Sequence, residues 1–73
     1  MNMKEYEKIQ IETMELVLLN RYNAIIKEQS FAKQTLLRTE KDAMITTLSI
    51  MGYMVTIDVD TDLRVTAVHV RKV

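Results

Sequence analysis

Several residue types are missing from this 73-residue sequence, and each absence excludes a class of protein. It contains no cysteine, proline or tryptophan, and its only glycine is Gly52. Without cysteine the chain has neither disulfide bonds nor thiolate metal ligands. Met1 is followed by charged residues rather than by the apolar run of a signal peptide. Together these features predict a cytoplasmic protein.

An excess of charge of either sign is lacking as well. Ten Lys and Arg residues balance ten Asp and Glu residues, so the formal net charge is zero. Proteins that neutralise phosphates are usually basic, whereas nucleic-acid mimics are acidic. The longest uncharged stretch, residues 43–57, is shorter than a membrane span and is divided by Gly52. We therefore expect neither nucleic acid nor a membrane as the main partner.

The first half of the chain has the pattern of a helix. Residues 3–37 contain neither glycine nor proline, and apolar side chains recur at helical spacing from Ile11 onward. A single helix over residues 4–37 would be about 50 Å long. A compact chain of this size is only about 30 Å across. Either the helix breaks at Gln29 and Ser30, or it projects and packs against a second subunit. We favour a break or kink near Ser30.

A further helix is predicted before the glycine. Thr39 is a suitable N-cap, with Glu40 and Asp42 in the first turn that would follow it. Met44 and neighbouring apolar residues continue the helical spacing, and Gly52 fits the left-handed position that ends many helices. The first half of the chain thus yields two or three helices in total, depending on how the segment after the break is divided.

The C-terminal third has the pattern of a β-hairpin. Residues 53–59 and 63–71 alternate in character and are rich in β-branched side chains. The Asp-Thr-Asp run at 60–62 predicts the turn, since short Asx side chains bond to nearby backbone amides. A two- or four-residue loop places Val59 opposite Arg64. A three- or five-residue loop would mix the two faces unless a bulge restores the phase.

This register gives the hairpin two apolar faces. The predicted pairs are Ile57–Thr66, Val55–Val68 and Tyr53–Val70. One face then carries Tyr53, Val55, Ile57, Val68 and Val70, and the other carries Met54, Thr56, Asp58, Leu63, Val65, Ala67 and His69. One face can lie on the helices, but the second needs another cover, and a lone hairpin leaves both edges open. We therefore expect the hairpin to pair with a copy of itself or with a partner protein.

These elements predict an α+β fold, with two or three helices followed by a C-terminal antiparallel β-hairpin. Residues 1–73 form a single small domain in this prediction. Chains of this size bury only about 60% of their unfolded surface. They are therefore marginally stable unless a cross-link or an oligomer stabilises them. The two-faced hairpin and the small size both favour a homodimer.

Motifs that carry chemistry are weak in this sequence. Asp58, Asp60 and Asp62 match the opening of a calcium loop, but Leu63 stands where that loop needs glycine and His69 stands where it needs glutamate. We interpret the three carboxylates as a solubilising turn. The single histidine lacks the companions that a metal site or a catalytic triad requires. No catalytic, metal or cofactor site is predicted, and the chain is not expected to be an enzyme.

Helices followed by a hairpin also suggest an alternative, a winged-helix regulator that binds nucleic acid. Residues 39–51 would then be the recognition helix, but they offer Glu40, Asp42 and only Lys41, and the wing tip would present Asp60 and Asp62 to phosphates. The charge therefore disfavours this alternative.

The preferred hypothesis is a small non-enzymatic interaction module, a homodimer that binds another protein and modulates or inhibits it. Its composition is typical of accessory proteins from bacteria or their phages. The residues that we predict to form the self-association or partner interface are Leu19, Tyr22, Ile26, Phe31, Met54, Val65, Ala67 and His69.

Overall fold

The computed structural model describes residues 2–73, which form two α-helices followed by two antiparallel β-strands. Helix α1 spans Met3–Lys27 and helix α2 spans Phe31–Ile50; strand β1 spans Tyr53–Val59 and strand β2 spans Val65–Lys72. This is the predicted α+β layout, with two helices rather than three. Among residues 2–73, no helix has the length and apolar character needed to cross a membrane.

The predicted break in the long helix is confirmed. The chain leaves helical geometry at residues 28–30, and two residues of this turn, Glu28 and Ser30, help to reverse it. The Ser30 hydroxyl accepts a hydrogen bond from the Lys33 amide at 3.4 Å, so Ser30 is the N-cap of α2. The Glu28 carboxylate accepts one from the Ser30 amide at 3.0 Å. Because the connection is so short, the two helices return side by side as an antiparallel pair.

The predicted helix start at Thr39 is wrong. Thr39 lies in the middle of α2, and its hydroxyl donates to the Thr35 carbonyl at 3.0 Å. Thr35 bonds in the same way to Phe31, and Thr47 to Ala43. Threonine can satisfy its hydroxyl within a helix by this bond to the residue four positions earlier. A residue suited to capping therefore does not mark a helix end when the chain already has a better start at Ser30.

Gly52 ends α2 as the sequence predicts. Its φ angle is +91°, in the left-handed region that other residues adopt at a cost. Its amide donates to the Ser49 carbonyl at 3.0 Å, and its carbonyl accepts from the Val73 amide at 2.8 Å. The glycine thus closes the last turn of α2 and begins the first rung of the hairpin.

The hairpin register differs by two residues from the prediction. Val55 lies opposite Val70 and Ile57 lies opposite Val68, and a β-bulge falls between Asp58 and Val59. The loop is longer than predicted and spans residues 60–64. The Asp60 carboxylate stabilises it by accepting hydrogen bonds from the amides of Asp62 and Arg64, both at 2.9 Å. Leu63 within this loop has a φ angle of +62°.

A shift of two residues preserves which side chains share a face, so four of the five residues of the predicted inner face are confirmed, whereas Ile57 is 41% exposed. Val68 and Val70 are buried, and Tyr53 and Val55 are partly buried against the helices. The five-residue loop keeps this phase only because the bulge adds one residue to β2.

The predicted outer face is wrong in two places. Beside the bulge, Val65 packs against the core instead of facing outward. Leu63 belongs to the loop and is 80% exposed. The outer face therefore consists of Met54, Thr56, Asp58, Ala67, His69 and Arg71. It is more polar than the sequence suggested, so this face alone does not require a second cover.

The core is thin. Among the described residues the buried apolar side chains are Leu18, Ile25, Leu48, Val68 and Val70. The hairpin lies across the helix pair with β2 against α1 and β1 against α2. The fold measures 43 × 25 × 21 Å, and its radius of gyration is 13.4 Å. A compact chain of this length would have a radius of gyration of about 11 Å.

Candidate interaction surface

The polar side chains of the hairpin are engaged with each other. His69 Nε2 lies 2.7 Å from Asp58 Oδ2 on the neighbouring strand, and both side chains are about half exposed. Asp60 is held by the loop amides described above. Among residues 2–73, no group of three or more His, Asp or Glu side chains is arranged to hold a metal ion. The Asp58–His69 pair, which the sequence analysis missed, could have been found from the correct cross-strand register.

The predicted interface residues lie in three separate places. Leu19, Tyr22 and Val65 pack against the core, and the Lys41 ammonium lies 5.1 Å from the centre of the Tyr22 ring. Much of their apolar surface is therefore already in contact with the rest of the chain.

Of the other five, Ala67 is partly buried and the remaining four are exposed. Ile26 and Phe31 flank the turn between the helices, and Phe31 is 79% exposed. Met54, Ala67 and His69 share the outer face of the hairpin, where Ala67 is the least exposed of the three. The structure thus brings together Met54, Ala67 and His69, but it leaves the helix-turn pair apart from them.

The total accessible surface is large for the mass of the chain. The chain exposes 5605 Å². Folded monomers of 8.5 kDa expose about 4,700 Å² on the general scaling of surface with mass. The excess is therefore about 900 Å². Large apolar side chains supply part of it, with Phe31 and Ile50 the most exposed within α2.

An apolar groove that the sequence did not reveal lies between α2 and β1. Its volume is ≈ 510 Å³. It is lined by Ile45, Ser49, Gly52, Tyr53, Met54, Val55 and Val73. Two shallower grooves follow the helix pair, one of ≈ 380 Å³ that includes Ile9 and Tyr53 and one of ≈ 320 Å³ that includes Met14 and Ala43. The first groove takes more of its lining from β1 than the other two, namely Tyr53, Met54 and Val55.

The two edges of the hairpin have different environments. The amide of Val70 on β2 donates to Glu15 Oε2 of α1 at 2.9 Å, so the outer edge of β2 is partly occupied by a helix side chain. Within the described residues, β1 pairs with β2 alone, which leaves the outer edge of β1 without a strand. Tyr53, Val55 and Ile57 of this edge carry no charge.

The direction of the backbone groups follows from the same contacts. The Val73 amide bonds to Gly52 within the hairpin, whereas the Val70 amide points away from β1. Bonded and non-bonded pairs alternate along an antiparallel ladder. The amides and carbonyls of Tyr53, Val55 and Ile57 therefore point outward, toward the open edge.

The winged-helix alternative receives no support from this arrangement. Residues 39–51, its recognition helix, mostly belong to the second half of the continuous helix α2. Lys41 there is turned toward Tyr22 and Asp42 rather than toward a free surface. The hairpin tip presents Asp60 and Asp62, which would repel phosphates.

Comparison of the chain with protein-family models, with curated protein sequences and with solved structures finds no match. Function is therefore inferred from the geometry of the molecule itself.

Proposed function

We propose that this chain is a non-enzymatic protein-interaction module that acts as a homodimer and modulates or inhibits another protein. The observation that carries this proposal is the excess of about 900 Å² of exposed surface over a compact monomer. Stable protein interfaces of standard size bury about 800 Å² on each partner. One such interface would bring the chain back to the surface that its mass predicts.

The distribution of apolar side chains supports the same proposal. A single copy buries few residues. The hydrophobic burial in its core is therefore small compared with the backbone and side-chain entropy that is lost on folding. An interface supplies further burial, as in many proteins of this size. Exposed apolar residues occur on more than one side of the fold, as Phe31 on α2 and Val59 on β1 illustrate. One surface can therefore serve self-association while another remains available to a partner.

The polar contacts of the fold are consistent with a structural rather than a catalytic use. Asp58 and His69 pair diagonally across the hairpin, Asp60 fixes the loop, and Arg21 pairs with Glu40 between the helices at 2.7 Å. Each of these contacts stabilises the arrangement of the elements on which the exposed apolar surfaces are presented.

The first test is the mass of the chain in solution. Light scattering coupled to size exclusion, at concentrations on the order of 50 µM, should give about twice the monomer mass of 8.5 kDa. A monomer at every accessible concentration would contradict the proposal.

The second test concerns the partner. Immobilised chain should retain one stoichiometric protein from a lysate of its source cells, and Phe31→Ala should weaken that binding without changing the dimer mass. Phe31 suits this test because it is exposed and lies outside the core. Retention of nuclease-sensitive material instead, lost at moderate salt, would favour the nucleic-acid alternative.

A further inference from the structure

We infer that the second copy in the homodimer packs against the face of the helix pair that points away from the hairpin. Helix α2 then lies antiparallel to α2 of the other copy, and the four helices form a bundle between the two hairpins. This inference rests on the proposed homodimer, and it adds the surface and the register through which the homodimer forms.

The other faces of the fold are less suitable for a second copy. The outer face of the hairpin is only two strands wide, or about 10 Å, and it carries Asp58, His69 and Arg71. The edge of β2 is partly occupied by Glu15. At the edge of β1, α2 extends about 2–3 Å beyond the strand on standard helix and strand spacings. Two copies joined there would superimpose their α2 helices.

Two grooves identify the side of α2 that points away from the hairpin. Ile45 and Ser49 line the groove that α2 shares with β1. Ala43 and Thr47 line the groove that α2 shares with Met14 of α1, and no hairpin residue contributes to that lining. Side chains that follow Ala43 and Thr47 at helical spacing therefore point away from the hairpin.

The surface formed by these side chains, which we call the free helix face, carries no charge along α2. Its residues recur every three or four positions and are all exposed: Ala32, Leu36, Thr39, Ala43, Thr47 and Ile50. The hydroxyls of Thr39 and Thr47 donate to backbone carbonyls of their own helix, at 3.0 and 2.8 Å. Covering this face with another protein therefore leaves neither hydroxyl proton without an acceptor.

Helix α1 extends the free helix face. Its contribution consists of exposed, uncharged residues at helical spacing on the side away from the core, namely Thr13, Val17 and Asn20. Arg21 and Glu40, which join the two helices, are paired with each other at 2.7 Å. A second copy on this face therefore buries no unpaired charge, which would be costly.

The size of the free helix face matches the interface that the chain needs. Helix α2 has 20 residues and is therefore about 30 Å long, and two packed helices are about 19 Å wide. The footprint is thus roughly 550 Å², and its accessible area is larger because side chains project from it. A standard interface takes about 800 Å² from each partner, close to the excess of about 900 Å² that the chain exposes. The outer face of the hairpin has a footprint of only about 230 Å².

The sequence of α2 fits antiparallel pairing with itself. A two-fold axis at the level of Lys41 places Ala43 opposite Thr39 of the other copy, and Ala32 opposite Ile50. Small side chains then meet at the centre, where the helices can approach to about 8 Å, and the large residue at one end faces a small one. Antiparallel packing also brings opposite ends of the two helix dipoles together.

A pair of lysine variants tests the face. Ala43→Lys places a charge at the centre of the contact, yet Ala43 is exposed in a single copy and lysine favours helix, so the variant should fold. The matched control is Ser49→Lys, which introduces the same charge at an exposed position of α2 beside β1.

We expect Ala43→Lys to raise the dimer dissociation constant at least about tenfold in sedimentation equilibrium, because the dimer would bury an unpaired charge. Its helical circular dichroism should be unchanged. Ser49→Lys should leave the dissociation constant within about twofold of the wild-type value. Equal weakening by both lysines, or by neither, would overturn the inference.

A cross-link tests the register without altering the contact, since the natural chain has no cysteine to interfere. Phe31 and Asp42 are exposed on the same side of α2, about three turns apart. In the antiparallel dimer the Cα atoms of the two residues 42 lie about 9 Å apart, whereas those of the two residues 31 lie about 31 Å apart. A bismaleimide linker of about 10 Å should therefore couple Asp42→Cys chains at least about tenfold faster than Phe31→Cys chains.

The outcomes separate this inference from the proposed homodimer. Equal coupling of the two cysteine variants would overturn the antiparallel register. If the wild-type chain is a dimer but Ala43→Lys dimerises normally, the homodimer stands and the free helix face is wrong. A monomeric wild-type chain would overturn both.

Discussion

Glu15 Oε2 of α1 accepts a hydrogen bond of 2.9 Å from the amide of Val70 in β2, a residue 55 positions later in the chain. This bond satisfies a backbone donor at a strand edge, where no neighbouring strand is present. It also fixes how far β2 can slide along α1. The contact therefore determines both the docking of the hairpin and the difference between its two edges.

Removal of this carboxylate should destabilise the fold. For Glu15→Ala we expect a loss of about 1.5–3 kcal/mol, because a charge-assisted hydrogen bond disappears and a half-buried amide is left without its acceptor. Glu15→Gln keeps an acceptor oxygen and should lose less. Urea unfolding and the exchange rate of the Val70 amide measure the effect. Glu12→Ala, on the exposed side of the same helix, is the control. A Val70 amide equally protected in both alanine variants would refute the assigned role.

Two leucines on α1 test the position of the core. Leu18 is 0% exposed, whereas Leu16, two residues earlier, is 59% exposed. Leu18→Ala should cost about 2–5 kcal/mol, which is enough to unfold a chain of marginal stability. Leu16→Ala should change the free energy of unfolding by less than about 0.5 kcal/mol. Thermal unfolding followed by circular dichroism compares the two. Similar losses for both leucines would mean that the face of α1 toward the hairpin is misassigned.

The space around Gly52 can hold a larger side chain, but its backbone conformation disfavours one. A Cβ atom built at this position meets no other atom within 4 Å, yet the φ angle is +91°. Gly52→Ala should therefore cost about 1–2 kcal/mol through backbone conformation alone. Thr46→Ala, at an exposed position of α2, should be neutral or slightly stabilising. Chemical denaturation of both variants gives the comparison. An unchanged stability for Gly52→Ala would show that the helix end can adopt another conformation.

The parts of the fold that the sequence predicts correctly depend on strong local or periodic signals. The break near Ser30 follows because an uninterrupted helix would be longer than the diameter of a compact chain of this size. The end of α2 follows from the unique glycine, and the inner face of the hairpin follows from the period of two. A register error of two residues leaves that period unchanged, which is why the prediction for Val68 and Val70 is correct.

The parts that were missed depend on contacts that no local pattern encodes. Thr39 resembles a cap, but its hydroxyl finds an acceptor one turn earlier within α2. The sequence predicts Val65 on the outer face, because the bulge that turns it inward depends on the loop held by Asp60. The open edge of β1 could not be distinguished from that of β2 because the distinction depends on Glu15, far away in sequence.

The backbone conformation of Leu63 lowers the stability of the hairpin. A leucine at a φ of +62° is held about 1–2 kcal/mol above its relaxed backbone conformation, and its 80% exposed side chain recovers little of that energy. Replacing it with glycine, or with asparagine, which tolerates this geometry, should raise the melting temperature by several degrees in a calorimetric scan. The loop tip is thus a suitable first position for engineering a more stable variant. Removing the backbone strain there disturbs neither the helices nor the strand edges.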